Sequence, residues 1–243
     1  MLKAGERLDD LHRDGLKIIQ NPDAFCFGID AVLLSHFAGR QIKPGQRHLD
    51  LCCGNGIVPI LLTAKSEGAS FYGVEIQGDA AEMAARSVAL NNLEDKIRIF
   101  NGDIKDTGLF SPCSFNVVTV NPPYMPIGGG AHSPNDAIAI ARHEVAATLE
   151  DVVATASRLL MPHGRFCMVH RPHRLAEIFA NFQKYGLAAK ILQFVQPVRH
   201  KPPNLMLVSA TKGGASDLIV EAPLIVYDDD GNYTSEVYKI HYE

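Results

Sequence analysis

Short apolar runs alternate along this chain with longer segments in which apolar residues recur every three or four positions. The first pattern is that of buried strands and the second that of amphipathic helices. A strand starting at Arg47 opens the series, with Asp50 placed after it. It runs into Cys52-Cys53-Gly54-Asn55-Gly56, and Ile57, Ile60, Leu61 and Ala64 then mark a helix from Ile57 to Glu67. Ser70–Glu75 is the next predicted strand, followed by an alanine-rich helix from Asp79 to Asn92. Ile97–Phe100 is the third strand and Phe115–Val120 the fourth. A helix over Leu149–Leu160, a fifth strand over Arg165–Val169 and a helix over Leu175–Tyr185 follow. This repeated exchange predicts an α/β fold, a mostly parallel sheet with helices on both faces. Lys190–Val195 and Leu205–Thr211 have no helix between them, so they read as an antiparallel pair at the sheet edge.

The flanks are less regular. Residues 1–16 are polar and charged and predict a loosely packed arm. Leu16–Gln20 alternates like a strand, Asn21-Pro22-Asp23 is a turn signal, and Phe25-Cys26-Phe27 reads as a second strand of a small hairpin. Asp30 is placed to cap a helix over Ala31–Ala38, with Val32, Leu33 and Phe37 on its buried side. In the tail, Asp229-Asp230-Gly231-Asn232 is a hairpin-type turn before a short helix capped near Thr234 or Ser235. Tyr233, Tyr238 and Tyr242 either stack on bases or cover a sheet edge; covering is the favoured reading. The expected organisation is residues 1–46 as arm, hairpin and helix, 47–212 as the core, and 213–243 as a C-terminal extension.

Composition narrows the function classes. The chain is 47% hydrophobic and 21% charged, an ordinary globular balance over 243 residues. A formal charge of −4 argues against a generally basic nucleic-acid binder, though not against a local basic face. Cys26, Cys52, Cys53, Cys113 and Cys167 form no disulfide framework and no Cys-x-x-Cys pair, which suits a reducing, cytosolic setting. The start of the chain lacks the apolar core of a signal peptide, and no apolar run is long enough to span a membrane. The histidines lack metal-ligand spacing, so no metal is expected.

Open parallel sheets bind ligands beyond the carboxyl ends of their strands. Asp50, Glu75, Asp103 and Asn121 stand at those ends in four successive strands. Asn121-Pro122-Pro123-Tyr124 is the most unusual of these stretches. Two prolines end the strand, and Pro122 keeps Asn121 extended. The result is either an ordinary strand-ending turn or a stiff platform for a planar group bearing an NH2. The Gly54-Asn55-Gly56 turn resembles half of a dinucleotide fingerprint, but Pro59 replaces its third glycine. S-adenosylmethionine fits better. Its carboxylate suits the start of the helix near Ile57, its ribose hydroxyls suit Glu75, and its adenine amino group suits Asp103.

Asp50-Leu51-Cys52-Cys53-Gly54-Asn55-Gly56, Glu75, Asp103 and Asn121-Pro122-Pro123-Tyr124 together resemble the motif series of class I S-adenosylmethionine-dependent methyltransferases that methylate amines. The resemblance spans about Phe25 to Thr211 and implies a Rossmann-like fold with a seven-stranded sheet. Phe25–Leu34 and Ala141-Arg142-His143-Glu144 are similar to the bacterial tRNA(Val) adenine-N6 methyltransferases, which modify the adenine 3′ of the anticodon. That implies a tRNA substrate. It also places the cofactor against Phe27, Asp30, Asp50, Cys52, Gly54 and Asn55, and against Gly56, Glu75, Ile76, Asp103, Ile104 and Asn121. Asn121, Pro122 and Tyr124 are the implied catalytic residues: Asn121 Oδ1 and the Pro122 carbonyl accept the protons of the substrate amine while Tyr124 stacks on the base. No metal and no covalent intermediate is required.

Arg142, Arg171 and Arg174 are candidates for contacting RNA phosphates, with Tyr124 on the base; Arg199-His200-Lys201 is either part of that face or a solvated edge loop. Gly128-Gly129-Gly130 is either a gate over the base or a surface loop. Other acceptors remain open. A protein glutamine would present the same NH2, but that family carries a helical domain ahead of the first motif, where only some 46 residues stand here. Guanine N2 of ribosomal RNA is another alternative, and a binding module without catalysis is a third.

Overall fold

The computed structural model describes residues 2–23, 26–66, 68–122, 147–215 and 217–242. A hairpin of β1 (Arg7–Asp10) and β2 (Lys17–Gln20) leads into α1 (Ile29–Gly39). Then come β3 (Arg47–Leu51), α2 (Ile57–Thr63), β4 (Ser70–Glu75), α3 (Gly78–Leu90), β5 (Ile97–Asn101) and β6 (Phe115–Val120). The second half supplies α4 (Leu149–Leu159), β7 (Leu160–His170), α5 (Leu175–Lys184), β8 (Leu187–Gln196), β9 (Leu205–Lys212), β10 (Ile219–Ile225) and α6 (Ser235–Tyr242).

The main sheet has eight strands in the order β10-β8-β9-β7-β6-β3-β4-β5. Only β9 runs against the rest, pairing antiparallel with both β7 and β8. The α/β reading with a mostly parallel sheet therefore holds, and the strand count rises from seven to eight. The extra strand is β10, which covers β8 as a parallel edge. Its Ile219 and Val220 are exposed, so burial gave no amphipathic signal to read.

Helices cover both faces. Buried residues of α1, α2 and α6, with Ile18 of the hairpin, form one core with Phe71 and Val117. α4 and α5 pack on the other side against Leu49, Val118 and Phe166. α4 begins with a full capping box, since Thr148 Oγ1 accepts from Asp151 N while Asp151 accepts from Thr148 N.

Four local expectations change. The partner of β2 is β1, because Leu11 and Leu16 bury themselves and bring the polar arm back; Cys26 and Phe27 form no strand, and Phe25 lies outside the described residues. His12, Asp14 and Gly15 take positive φ in the connecting turn, and Leu11 N donates to Leu16 O at 2.9 Å. Arg7–Asp10 thus form an ordered strand rather than a loose arm. Asp30 does not cap α1 from outside; Gly28 occupies that position and Asp30 lies in the first turn. Asp50 lies within β3, not beyond it, and is 2% exposed.

Candidate functional site

Parallel register aligns the carboxyl ends of β6, β3, β4 and β5 side by side. Asp50 stands opposite Thr119 on one side and Gly73 on the other, and Glu75 opposite Asn101. Gly73 is required there, because a Cβ would sit 2.7 Å from Cys53 Sγ. The turn after β3 crowds three positive φ angles into five residues: Cys52 at 58°, Gly54 at 55° and Gly56 at 83°. Space above Gly54 is open, with no atom within 4 Å of where a Cβ would stand. Gly54 N donates to Glu75 Oε2 at 2.9 Å.

Glu75 ends β4 and is 1% exposed. Its other oxygen accepts from Gln77 N at 2.9 Å. Two backbone donors thus fix the carboxylate plane and leave further lone pairs for other donors. Ile76 beside it is 41% exposed, an apolar surface next to a buried acid. Asn101 was missed from sequence. Its Nδ2 donates to Glu75 O at 2.9 Å and Ile76 O at 3.1 Å, clamping this turn. The only hint was an Asn-Gly-Asp run after a strand.

Asp103 is half-buried, with Oδ1 accepting from Lys105 N at 2.9 Å. Ile104 turns inward; it is 7% exposed and its carbonyl accepts from Thr155 Oγ1. Asn55 is buried, with Nδ2 3.4 Å from Ile19 O, so it ties the glycine turn to the hairpin. Phe27 is half-buried against the α1 side of the core, and its N–H donates to Gln20 Oε1 at 3.0 Å.

Asn121 follows β6 and is half-buried; Pro122 is buried. Asn121 Nδ2 donates to Asp30 Oδ2 at 3.2 Å. Tyr124, Arg142 and the Gly128–Gly130 segment lie outside the described residues. Arg171 and Arg174 follow β7, the strand next to β6. Arg171 Nη1 donates to Asn204 O in the β8–β9 loop, and Arg174 is paired with Glu177 at 2.5 Å.

Under this edge runs a buried polar chain that sequence reasoning did not find. Thr119 Oγ1 donates to Asp50 Oδ1 at 2.5 Å and lies 2.8 Å from His48 Nε2. Burial pushes the Asp50 carboxyl up to about 8, against the pull of the Thr119 bond and with the Glu75 charge adding to it. Burial pushes His48 down to about 3. Burial also raises the Cys52 and Cys53 thiols, with nearby carboxylates adding to it, which keeps them protonated and poor nucleophiles. Among the described residues, no group of His, Cys, Asp and Glu is arranged to hold a metal ion, and no helix is long and apolar enough to cross a membrane.

The methyltransferase small domain family matches residues 16–195. The chain belongs to this family. A tRNA1(Val) (adenine(37)-N6)-methyltransferase of Porphyromonas gingivalis is 31% identical over 92% of this chain and 89% of its own. One from Dickeya chrysanthemi is also 31% identical, over 86% and 83%. A solved structure described as a predicted O-methyltransferase of Agrobacterium tumefaciens superposes with a TM-score of 0.71. It is 24% identical and the match covers 87% of this chain and 95% of that one, a likeness of fold. The chain is therefore a methyltransferase with a Rossmann-like fold, and its cofactor is S-adenosylmethionine. The residues at the edge fit that group: a buried acid with fixed oxygens at Glu75, an exposed apolar side chain at Ile76 and open backbone at Gly54.

Proposed function

We propose that this methyltransferase methylates N6 of an adenine in the anticodon loop of a tRNA. The observation that carries the acceptor side is Asn121, an amide held at the end of β6 beside the strand ends of β3 and β7. Support for the base and the RNA comes from the relatives of Porphyromonas gingivalis and Dickeya chrysanthemi, whose names specify that reaction.

S-adenosylmethionine supplies an electrophilic methyl group. Gly54, Asn55 and Gly56, with Phe27, Asp50 and Cys52, would hold its methionine end, Glu75 would accept from the ribose hydroxyls, and Ile76, Asp103 and Ile104 would hold the adenine. An exocyclic purine amine is a poor nucleophile because its lone pair is spread into the ring. Asn121 Oδ1 and the Pro122 carbonyl accept hydrogen bonds from its two N–H groups and favour a pyramidal nitrogen. Tyr124 stacks on the base and fixes its plane. Orientation at roughly 3–3.5 Å between reacting atoms supplies most of the acceleration. The surplus proton leaves to solvent. A loop base is already partly unstacked, which lowers the cost of entry. Arg142, Arg171 and Arg174 contact flanking phosphates, joined by Arg199 and Lys201, which are exposed on the loop that Arg171 holds.

The test is to incubate the protein with labelled cofactor and either total tRNA or total protein from a strain lacking the enzyme, then identify the labelled unit. N6-methyladenosine in tRNA is the expected product. Label on glutamine, or on guanine N2 of ribosomal RNA, would overturn the assignment. Asn121→Ala should bind cofactor and lose transfer; full activity would remove Asn121 from the mechanism.

A further inference from the structure

We infer that Asp30 is a positioning residue that sets which end of the Asn121 amide faces the substrate. The inference rests on the acceptor role proposed for Asn121.

The two ends of an asparagine amide are nearly equal in shape and opposite in hydrogen bonding. A carboxylate only accepts, and an amide NH2 only donates. The contact of 3.2 Å between Asn121 Nδ2 and Asp30 Oδ2 therefore has one chemically sound orientation. Turning the amide over would set two oxygens against each other. With Nδ2 held by Asp30, Oδ1 is the end turned away from the carboxylate, and an acceptor is what a substrate amine needs.

Asp30 is built to hold this position. It stands in the first turn of α1, where the helix dipole favours a negative charge. Its second oxygen accepts from Ala31 N at 2.9 Å, so the carboxylate is anchored at both ends. α1 itself is buried continuously from Asp30 to Ser35 and cannot drift without opening the core. Gly28 makes room for the group: a Cβ at that position would lie 3.0 Å from Asp30 Oδ1. On the other side, Pro122 confines the backbone of Asn121 to extended conformations, leaving mainly the side-chain torsions to be fixed. Neither residue signals the pairing from sequence, because 91 positions separate them.

The experiment measures kcat, tRNA KM and cofactor Kd for Asp30→Asn, Asn121→Ala and the double variant. Asp30→Asn keeps the shape and offers an NH2 of its own, which lets the Asn121 amide turn over. Its kcat should fall about 10–100-fold at saturating substrates, the scale of a misplaced acceptor, with cofactor Kd within about twofold. In the Asn121→Ala background, Asp30→Asn should not lower the residual single-turnover rate further. Gly28→Ala is a second probe, because its backbone tolerates a side chain at φ −113° while the new methyl crowds Asp30 Oδ1. It should lower kcat several-fold and spare cofactor binding. Wild-type kcat in Asp30→Asn would overturn the inference. So would a weakened cofactor Kd with kcat intact, which would make Asp30 a cofactor ligand, or multiplying effects in the double variant. Full activity in Asn121→Ala is a separate result; it would remove the acceptor role on which the inference stands.

Discussion

Thr119 is the residue on which two buried titratable groups depend. It supplies the only side-chain hydrogen bond described for Asp50, and His48 Nδ1 has no partner among the described residues. Thr119→Val keeps the shape and deletes the hydroxyl. It should destabilise the protein by about 1–3 kcal/mol, the cost of leaving buried polar groups unmade, read as a lower urea midpoint at constant slope. The same trio sets a pH dependence. The Asp50 carboxyl rises from 3.8 to about 8 on folding, so its contribution is fully present below pH 3.8 and is lost as pH rises through 8. His48 falls from 6.5 to about 3, so its contribution is present above pH 6.5 and is lost as pH falls towards 3. Asp50→Asn removes the first of these losses. Between pH 5 and 8 the wild-type protein without cofactor should lose about 4 kcal/mol relative to that variant, measured by denaturant unfolding at each pH. Parallel curves would show that Asp50 is ionised in the fold.

At the scale of elements, the carboxyl ends of β7 and β8 and the amino end of β9 form a second edge beside the acceptor site. The β8–β9 loop is held there by Asn204 N donating to Val195 O, Gln196 Nε2 to Lys201 O and Arg171 Nη1 to Asn204 O. Arg199, His200 and Lys201 are exposed on it. Reversing the charge at Arg171 and Arg174 should weaken tRNA binding about tenfold or more at moderate salt and leave cofactor affinity unchanged, because phosphate contacts carry the salt-dependent part of RNA binding. Filter binding over a salt series measures both the loss and the reduced slope. Unchanged tRNA affinity would take the phosphate face off these residues. The Arg174–Glu177 pair is local, so its reversal should also be tried with Glu177→Lys to keep the pair intact.

Across the whole molecule, both ends of the chain close on α1, the helix that carries Asp30. Leu11, Leu16 and Ile18 of the hairpin region, and Val237 and Ile240 of α6, share its core. Buried Arg13 donates from Nη2 to Ile240 O at 2.8 Å, joining the two ends directly. Arg13→Leu should cost about 1–3 kcal/mol by orphaning that carbonyl, with a lower thermal midpoint as the readout. If the clasp holds α1 in place, the variant should lose kcat before it loses cofactor binding.

What the sequence determined by itself was local. Apolar runs and helical spacing marked strands and helices from Arg47 to Tyr185, and the glycines and prolines marked where each strand ended. Because parallel strands all end on one edge, those marks also brought Glu75, Asp103 and Asn121 to one place. The tertiary structure decided the pairings that span long stretches of chain. It gave β2 its partner in a polar segment, added the exposed strand β10 to the sheet and drew Asp50 down onto Thr119, 69 positions away. It also turned Asp30 from a helix cap into a partner of Asn121. Strand and turn preferences act over a few residues and leave a trace in the sequence. A single hydrogen bond between distant side chains leaves none, because its geometry exists only after the sheet and α1 have packed.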